Sequence, residues 1–590
     1  MRQKFQSSED WAISKAEGFH ERWRKKILSN YTGKKAAAKY LPCVTGEAGQ
    51  CHAVYTAGRE LCEITERLAL VRLALDAGDA EICARAEEFA LAAMDIGRIQ
   101  RSIEAVRAGM ESFVRSCQMV PPSEKVQTRG AIARMTCRDW WRRGLRKMHA
   151  KAVEGAAIEL GYVNKARDLY VSNESLARRG QQIRRNNLMM ENTLMRNELD
   201  QEFTLAELAA KGTANKAIRR GELMTRIVGF EKIAIECGHA GLFLTVTCPS
   251  RMHKWVSAGG AKVFENAKYD GTTPREAQQY LSKCYARIRA KLARHGAGIY
   301  GFRIAEPHHD GCPHWHILAF CAKWAQRRIV RTFRHYLLAD SPDEKGAAQH
   351  RVKVEVIDWK RGTAAGYIAK YVAKNIDGLH VENDLYGNPA METSLRVEAW
   401  ASTWGIRQFQ QVGGAPVGVW RELRRVKELP EDAAEHLKAA HLAVNKIEAV
   451  GDGETKSADW AGYVKAQGGV FCGRGAAIKI ATEESGELGR YGDEIKARPV
   501  GVFEVVFGEI VRSVRHVWQV VKGRVLAAVS SPPWTCVNNC TREGVSNEAK
   551  RSAGFVERGG SGLREFIGAD EGAGGGGYFA ADRMPAACFG

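Results

Sequence analysis

Two histidines near the middle of the chain have the spacing of side chains that share one face of a β-strand. His314 and His316 flank Trp315 in a run that otherwise has the apolar character of a buried strand. Because alternate residues of a strand point to the same side, both imidazoles can reach one metal ion while Trp315 points away. Two half-buried structural histidines would have the same spacing, so the pair alone leaves both interpretations open.

A third metal ligand can come from the segment just before the histidine pair. The turn residues Asp310 and Gly311 would fold the preceding strand back alongside the histidine strand. Either Glu306 or His308 would then lie near the pair, as an oxygen or a nitrogen ligand. Three protein ligands leave coordination positions open for water and a phosphate oxygen, which metal-assisted catalysis requires.

Two tyrosines and two lysines, about 50 residues further along, repeat at the interval of one helical turn. Tyr367 and Tyr371 are four residues apart, and so are Lys370 and Lys374. Residues at this spacing are neighbours on a helix surface. Aromatic residues at helical spacing commonly pack in a core, but lysines this close would sit badly there and suit a phosphate. We therefore predict that Tyr367 and Tyr371, with both lysines beside them, are catalytic.

A tyrosine nucleophile would attack a phosphate and form a phosphotyrosine ester. A phenol with its ordinary pKa of about 10 is a weak nucleophile at neutral pH, and it needs a nearby cation to favour the phenolate. A divalent ion that polarises the scissile phosphate would provide this field. Because the ester conserves the energy of the broken bond, the same site could later rejoin the strand without ATP.

The segments around these residues predict an α+β arrangement that would position them. We expect a small antiparallel sheet with helices packed on it. The predicted strands cover 242–247, 298–306, 314–321 and 352–357, and the predicted helices cover 274–295, 322–339 and 363–375.

The composition indicates a large, basic, globular protein. The chain has 590 residues, which suggests about four folding units. Lys and Arg exceed Asp and Glu by 88 − 68 = 20, so a polyanion, and nucleic acid first, is the expected partner. With 45% apolar residues, a wholly disordered basic tail and a fibrous protein are excluded.

Membrane and disulfide signals are both missing from the sequence. No apolar run is long enough to span a bilayer and the N-terminus lacks an apolar signal core, so we expect a soluble intracellular protein without a membrane partner. The 15 cysteines include no C-x-x-C pair, and we expect them to be reduced.

Basic residues are concentrated in the predicted helices that follow residue 138. They fit either a solvated helix face or a track for DNA phosphates, since counterion release favours such clusters. The candidate DNA-binding residues are Arg142, Arg143, Arg146, Lys147, Arg184 and Arg185. Two short helical patterns around Gly212 suggest a helix hairpin or a helix-turn-helix.

The motif order resembles that of the HUH endonucleases, the rolling-circle replication initiators. The closest resemblance is to the replication gene A endonuclease family of temperate tailed phages and their prophages. It covers about 138–425, roughly half of the chain. The motifs that carry it are Trp140-Trp141-Arg142-Arg143, Phe243 to Arg251, Glu306-Pro307-His308, Asp310-Gly311, Pro313-His314-Trp315-His316, Gly366 to Tyr371 and Trp404 to Gln408.

The resemblance implies a site-specific nuclease that nicks one strand of phage origin DNA, single-stranded or supercoiled. It would stay attached to the 5′ phosphate, and the two tyrosines would alternate. His314 and His316 carry over as metal ligands, with Glu306 preferred over His308 as the third ligand and Mg²⁺ or Mn²⁺ as the ion. The host replicative helicase and polymerase would be partners, and the reaction would take place in the bacterial host cytoplasm.

The length and the changes of pattern along the chain predict a multidomain protein with four segments, of which the resemblance covers the middle part. Residues 1–135 would form a helical N-terminal domain and 136–237 a basic helical DNA-contacting region. Residues 238–428 would form an HUH-type nuclease domain, an antiparallel sheet with flanking helices. Residues 429–590 would form a C-terminal region with a flexible glycine-rich tail.

Two alternatives remain open at this point. The chain could be another HUH enzyme, a plasmid relaxase or a transposase, although a tyrosine pair is more typical of a replication initiator. It could also be a non-enzymatic basic DNA-binding protein, such as a repressor or packaging factor, with structural histidines and tyrosines.

Overall fold

The computed structural model describes residues 73–257, 262–360, 362–376, 390–450, 453–521 and 579–580. The helical pattern predicted before residue 73 and nearly all of the glycine-rich tail lie outside these ranges. The described chain divides into two compact units. The first holds residues 73–162 and 491–493, and the second holds the other described residues. The predicted four-segment division stays a prediction.

The first unit is built from helices that pack around an aromatic core. They are α1 (Asp79–Ile99), α2 (Ile103–Ser116), α3 (Thr128–Met135) and α4 (Arg138–Glu159). Phe89, Phe113 and Trp141 meet edge to face, with ring centroids 5.2–5.8 Å apart. The buried Trp141 indole donates to the Met135 carbonyl at 2.7 Å. The helical character predicted for this part of the chain is confirmed.

The second unit combines helices and strands, as the predicted α+β class requires. Its helices are α5 (Asn173–Glu191), α6 (Leu205–Ala210), α7 (Lys216–Glu236), α8 (Pro274–Arg294), α9 (Gln326–Leu338), α10 (Ala347–His350), α11 (Ala364–Ile376), α12 (Ala390–Trp404), α13 (Val417–Leu423), α14 (Glu435–Asn445) and α15 (Trp460–Ala466). Its strands are β1 (Leu194–Arg196), β2 (Glu202–Thr204), β3 (Ala240–Val246), β4 (Trp255–Ser257), β5 (Val263–Glu265), β6 (Tyr300–Pro307), β7 (Pro313–Cys321), β8 (Val352–Val356), β9 (Phe409–Val412), β10 (Ile447–Val450), β11 (Gly453–Lys456), β12 (Ile478–Glu483), β13 (Arg498–Glu504), β14 (Ile510–Arg512), β15 (Val517–Val520) and β16 (Phe579–Ala580).

A five-stranded sheet lies at the centre of the second unit. Its strands lie side by side in the order β8-β3-β7-β6-β9. Each neighbouring pair is antiparallel, as predicted. β6 and β7 form a hairpin in which Glu306 lies opposite His314 and Ile304 opposite His316. Across the other edge of β7, Thr245 of β3 lies opposite His316.

The two faces of the sheet bury different side chains because residues alternate along each strand. On one face, the Trp315 indole donates to Gln278 of α8 at 2.9 Å and meets the ring of Tyr285 at 5.9 Å. On the other face, α7 and α11 cover Phe302, Leu318 and their neighbours. The histidines of β7 point to this second face.

The core on the α11 side extends well past residue 428. Leu437 of α14, Trp460 of α15 and Val502 of β13 are buried in the same cluster as the sheet residues. The described part of the stretch after residue 502 forms strands.

No helix among the described residues combines the length and apolar character needed to cross a bilayer. The nine cysteines within the described ranges are not joined in disulfides.

Candidate metal and tyrosine site

Glu306, His314 and His316 come together on the α11 side of the β6-β7 hairpin. The Nε2 atoms of the two histidines are 3.0 Å apart, and His316 Nε2 is 3.9 Å from Glu306 Oε2. One potential ligand atom from each of the three residues lies within 4.8 Å of the others. Glu306 is 1% exposed and His316 is 6% exposed, so the carboxylate and one imidazole are buried. In the part of the chain that the structure describes, this is the one group of such residues with metal-binding geometry.

The turn predicted between Glu306 and the histidines is present and is held tightly. The amide of His308 donates to the carbonyl of Cys312 at 2.7 Å. Gly311 has a φ of +83°, a conformation that a residue with a side chain rarely adopts. The Trp400 indole donates to the Gly311 carbonyl at 2.8 Å. These bonds fix the turn, and the turn fixes the pairing of Glu306 with His314.

His308, the alternative third ligand, lies beside the group rather than in it. Its ring packs against His314 with centroids 4.1 Å apart. Burial, followed by the nearby charge of His253, lowers the pKa of His308 to about 3. The structure therefore brings Glu306, and not His308, within reach of both imidazoles.

Two residues that the sequence reasoning did not single out contact the ligand group. The Thr245 hydroxyl lies 3.2 Å from His316 Nδ1 and can accept its proton, which would leave Nε2 available to a metal. The Asn375 side-chain amide donates to Glu306 Oε1 and, at 2.7 Å, to the Tyr371 carbonyl. Asn375 thus connects the carboxylate ligand to the tyrosine helix α11.

The orientation of α11 follows from its apolar residues. Ile368, Val372 and Ile376 repeat every four residues and are buried in the core. Tyr367 and Tyr371 each precede one of these residues, so they lie at the border between the buried stripe and the solvent. The two tyrosines therefore share one flank of the helix, as their spacing predicts.

The start of α11 is held by a buried carboxylate from α7. Glu231 Oε1 accepts the amide of Ala364 at 3.1 Å, and Oε2 accepts the amide of Ala365 at 2.9 Å. The Thr363 hydroxyl accepts the amide of Gly366 at 3.0 Å. A negative charge at this end of a helix is favourable because the helix dipole is positive there.

Tyr371 lies against the ligand group. Its ring is 4.2 Å from that of His316 and 5.4 Å from that of Phe243, between centroids. Burial of the phenol, followed by the negative charges of Glu306 and Glu355, raises the pKa of Tyr371 to about 12. Tyr371 therefore requires added positive charge before it can ionise near neutral pH.

Tyr367 is in a different environment, at the edge of the sheet. Its side chain is 51% exposed, and its hydroxyl donates to Glu355 of β8. Lys353 binds the same carboxylate at 2.7 Å. The hydrogen bond to Glu355 raises the pKa of Tyr367, while those from Lys353 and Tyr367 lower the pKa of Glu355. Its ring contacts Phe243 at 5.3 Å.

The predicted lysines Lys370 and Lys374 lie on α11, but their side chains are outside the described part of the structure. Their proximity to a phosphate stays a prediction.

The predicted DNA-binding arginines of α4 are mostly engaged within the protein. Arg142 is buried and lies 3.2 Å from Asp139. Arg143 donates to the Tyr491 hydroxyl at 3.0 Å, and Arg146 forms two 2.8 Å hydrogen bonds with Asp79. Burial argues against a DNA contact by Arg142, because its guanidinium group does not reach the surface.

The other predicted DNA-binding residues are accessible. Lys147 of α4 and both Arg184 and Arg185 of α5 are exposed. DNA contact by these three residues stays a prediction. The two helices around Gly212 are α6, which starts at a Thr204 capping box, and the long α7. Half of the apolar residues of α7 lie in the core. Reading of DNA by α6 and α7 stays a prediction.

Comparison with known proteins identifies one group of relatives. The family described as "Bacteriophage replication gene A protein" matches residues 84–379. The chain is 38% identical over 427 residues to the replication gene A protein of Escherichia phage 186, covering 70% of this chain and 59% of that protein. It is 35% identical over 441 residues to the replication protein of Haemophilus phage HP1, covering 71% and 54% of the two chains.

A bacterial relative carries a more specific description. A probable replication endonuclease from a prophage-like region of Salmonella typhimurium is 31% identical over 439 residues, which is 72% of this chain and 52% of that protein. The chain thus spans between half and 60% of the length of these three relatives. No solved structure matches it.

Proposed function

Because the chain belongs to the bacteriophage replication gene A protein family, we propose that it is a DNA endonuclease that initiates phage replication. It would nick one strand of the origin with a tyrosine, form a 5′-phosphotyrosyl intermediate, thereby initiate rolling-circle replication, and later rejoin the strand. The observation that carries this proposal is the contact between Tyr371 and His316, 4.2 Å between ring centroids, because it joins a nucleophile to a metal-binding group.

The residues at the site fit a divalent cation. A buried carboxylate and two imidazoles converge from neighbouring strands, a mixed oxygen and nitrogen donor set. Glu306, His314 and His316 would hold the ion, and we expect Mg²⁺ or Mn²⁺. When bound, it would polarise the scissile phosphate and favour the phenolate. Asn375 and Thr245 would keep two of the ligands oriented.

We assign the first attack to Tyr371, because its ring contacts a ligand whereas that of Tyr367 contacts Phe243. The phenolic oxygen would form a bond to phosphorus as the bond from phosphorus to the 3′ oxygen breaks. The phenol loses its proton and the 3′ oxygen gains one, so the products are a 5′-phosphotyrosyl ester and a 3′ hydroxyl. Rejoining is the reverse of these steps.

Tyr367 would make the second cleavage. Its hydroxyl already donates to Glu355, which is the available proton acceptor. Until substrate arrives, the same hydrogen bond keeps Tyr367 protonated, because the acceptor is negatively charged. The two tyrosines would therefore act in turn rather than compete for one phosphate.

The wider proposal follows the sequence analysis. Residues 238–428 would form an HUH-type nuclease domain, and the exposed Lys147, Arg184 and Arg185 would contact DNA phosphates. The host replicative helicase and polymerase would continue synthesis from the 3′ hydroxyl, in the bacterial host cytoplasm.

The test is covalent capture of labelled single-stranded origin DNA by the purified full chain. With Mg²⁺ or Mn²⁺ we expect an SDS-resistant adduct, and with EDTA we expect none. Tyr371→Phe should abolish most of the first-round adduct, and changing Tyr367 as well should abolish all of it. Tyr336→Phe on α9, on the opposite side of the sheet, is the matched control and should leave the adduct unchanged.

Two results would overturn parts of this proposal. An adduct that survives the double Tyr→Phe change would exclude both tyrosines as nucleophiles. DNA binding without cleavage, with Mg²⁺, Mn²⁺ and Zn²⁺ and on supercoiled as well as single-stranded origin DNA, would instead support a non-enzymatic DNA-binding protein.

A further inference from the structure

The helices on the other side of the sheet form a surface that the proposed reaction does not use. α8 packs against β7 through Gln278 and Tyr285. α9 packs beside α8, with the rings of Phe333 and Tyr285 6.3 Å apart between centroids. Both helices lie on the Trp315 face, away from the metal and tyrosine site.

The outer surface of this helix pair carries exposed basic residues throughout. The two helices contain ten Lys and Arg residues, and all of them except Arg275, which donates to the Gly405 carbonyl, are exposed. The nine exposed residues are Lys283, Arg287, Arg289, Lys291 and Arg294 on α8, and Arg327, Arg328, Arg331 and Arg334 on α9. We call this set the α8-α9 basic face.

Acidic residues that could neutralise this face are nearly absent from the two helices. Glu276 is the one carboxylate within them, and it is used in the capping box with Thr273 at the start of α8. Just after α9, Asp340 and Glu344 bind Arg251 and Arg351 instead. Among the described residues, no ion pair is formed by any of the nine basic side chains.

The charges of the two helices meet in one continuous region. His295 follows α8, and its pKa is lowered by partial desolvation and by the charges of Arg328, Lys291 and Arg294. Arg328 belongs to α9 and the other two belong to α8. Arg331 and Arg334 continue the face along α9, where they line a concave patch with Leu338.

Such an arrangement is unfavourable unless an anion binds to it. Like charges four residues apart on a helix destabilise it by about 0.2–0.5 kcal/mol per pair. Lys283, Arg287 and Lys291 form one series with this spacing, and Arg327 and Arg331 form another. A polyanion would turn this repulsion into binding energy through release of its counterions.

We propose that the α8-α9 basic face binds the phosphate backbone of duplex DNA outside the cleavage site. The choice of DNA as the polyanion rests on the proposed function. No base-reading element is required, because repeated Arg and Lys contacts to phosphates are independent of sequence. The face would hold the duplex next to the nick while the single strand occupies the site across the sheet.

The test compares the salt dependence of DNA binding by two matched triple variants of the full chain. The first is Arg327→Gln with Arg331→Gln and Arg334→Gln. The control removes the same charge from exposed residues elsewhere, through Lys427→Gln, Arg474→Gln and Lys479→Gln. Binding to a random-sequence duplex is measured by fluorescence anisotropy in EDTA, which prevents metal-dependent cleavage.

Three lost phosphate contacts should reduce the slope of log K against log salt by about 2.7. Between about 50 and 200 mM salt, wild-type affinity should therefore fall about 40-fold more than that of the first variant. The control should keep the wild-type slope. Equal slopes for the two variants would overturn the proposal. Binding of both proteins to anionic lipid vesicles is measured as well, and a first variant that loses vesicle binding but keeps wild-type DNA binding would also overturn it.

A triple variant on the other helix and an adduct assay distinguish loss of the binding face from loss of folding. Lys283→Gln with Arg287→Gln and Lys291→Gln, on the other helix, should reproduce the lower slope, and a wild-type slope there would contradict a continuous face. Adduct formation on a short single strand that contains only the nick site should be unchanged in these variants. If the wild type forms no adduct at all, the proposed function fails while the slope comparison still decides the binding face.

Discussion

The buried carboxylate that holds the tyrosine helix offers a direct test of how the site is assembled. Glu231 accepts the amides of Ala364 and Ala365, one on each oxygen, at the start of α11. In Glu231→Gln one oxygen is replaced by an NH₂ group, which faces a backbone donor and cannot accept its hydrogen bond. The negative charge at the positive end of the helix dipole is lost as well.

The expected cost can be worked out from these contacts. A hydrogen bond to a charged group contributes about 1.5–3 kcal/mol, and one such bond is lost outright. The charge at the helix terminus adds about 0.3–1 kcal/mol. Because Glu231 is buried, solvent screens little of either contribution. We expect docking of α11 to weaken by at least about 2 kcal/mol, the lower end of these ranges, which corresponds to about 30-fold in an equilibrium constant.

Hydrogen exchange of α11 is the suitable assay, because it reports local opening. Amides of Ala364–Ile376 should exchange at least about 30-fold faster in Glu231→Gln, and adduct formation should fall with them. The control is Glu236→Gln at the end of α7, the helix that also carries Glu231. Glu236 forms a largely exposed ion pair with Lys465 at 2.6 Å. Such surface pairs contribute about 0–1 kcal/mol. Unchanged exchange in α11, or the same increase with the control, would refute the assignment of Glu231 as the anchor.

Three further changes test other parts of the structure. Replacing His314 and His316 together by alanine should abolish cleavage and Mn²⁺ binding in calorimetry while DNA binding persists; normal nicking would contradict the metal site. Asn375→Ala removes the amide that orients the carboxylate ligand and should weaken Mn²⁺ binding by about 10- to 100-fold, whereas unchanged affinity would rule out that role. In the first unit, a hydrogen bond from Arg107 holds the pKa of Glu111 below its usual value. This stabilisation is present above the unfolded pKa of about 4.3 and is lost as pH falls through the lower folded pKa. The urea midpoints of wild type and Glu111→Gln should therefore converge in acid. A difference between the two midpoints that does not change with pH would argue against the pairing.

Short-range periodicity predicted the central elements of this site. The two-residue repeat of the histidines and the four-residue repeat of the tyrosines each depend on a few neighbouring residues, so the strand β7 and the helix α11 could be recognised directly. The spacing alone left Glu306 and His308 open, because residues two apart share a face wherever a strand continues, and the family resemblance favoured Glu306. The choice depended on where the turn ends, which sets the residue opposite His314.

The remaining features depend on residues far apart in the sequence. Glu231 lies 133 residues before the amide that it accepts. Arg142 and Arg146 belong to the same basic run, yet one is buried and the other binds Asp79. Charge and periodicity describe one helix at a time, whereas ion pairing is decided by the element that packs beside it. The α8-α9 basic face could not be predicted from the sequence for the same reason, since its charges combine only when the two helices are adjacent.

The tight turn at Gly311 also determines which changes of length the hairpin can tolerate. Surface loops usually accept insertions and deletions with little effect. Here, removing one residue between Glu306 and His314 would shift β7 by one position, and a strand shifted by one position exchanges its two faces. Trp315 would then point towards Glu306 and α11, and both imidazoles would point towards α8. Only changes by an even number of residues keep each side chain of β7 on its present face. Whether the number of residues in this turn is odd or even is therefore as important to the site as the ligands themselves.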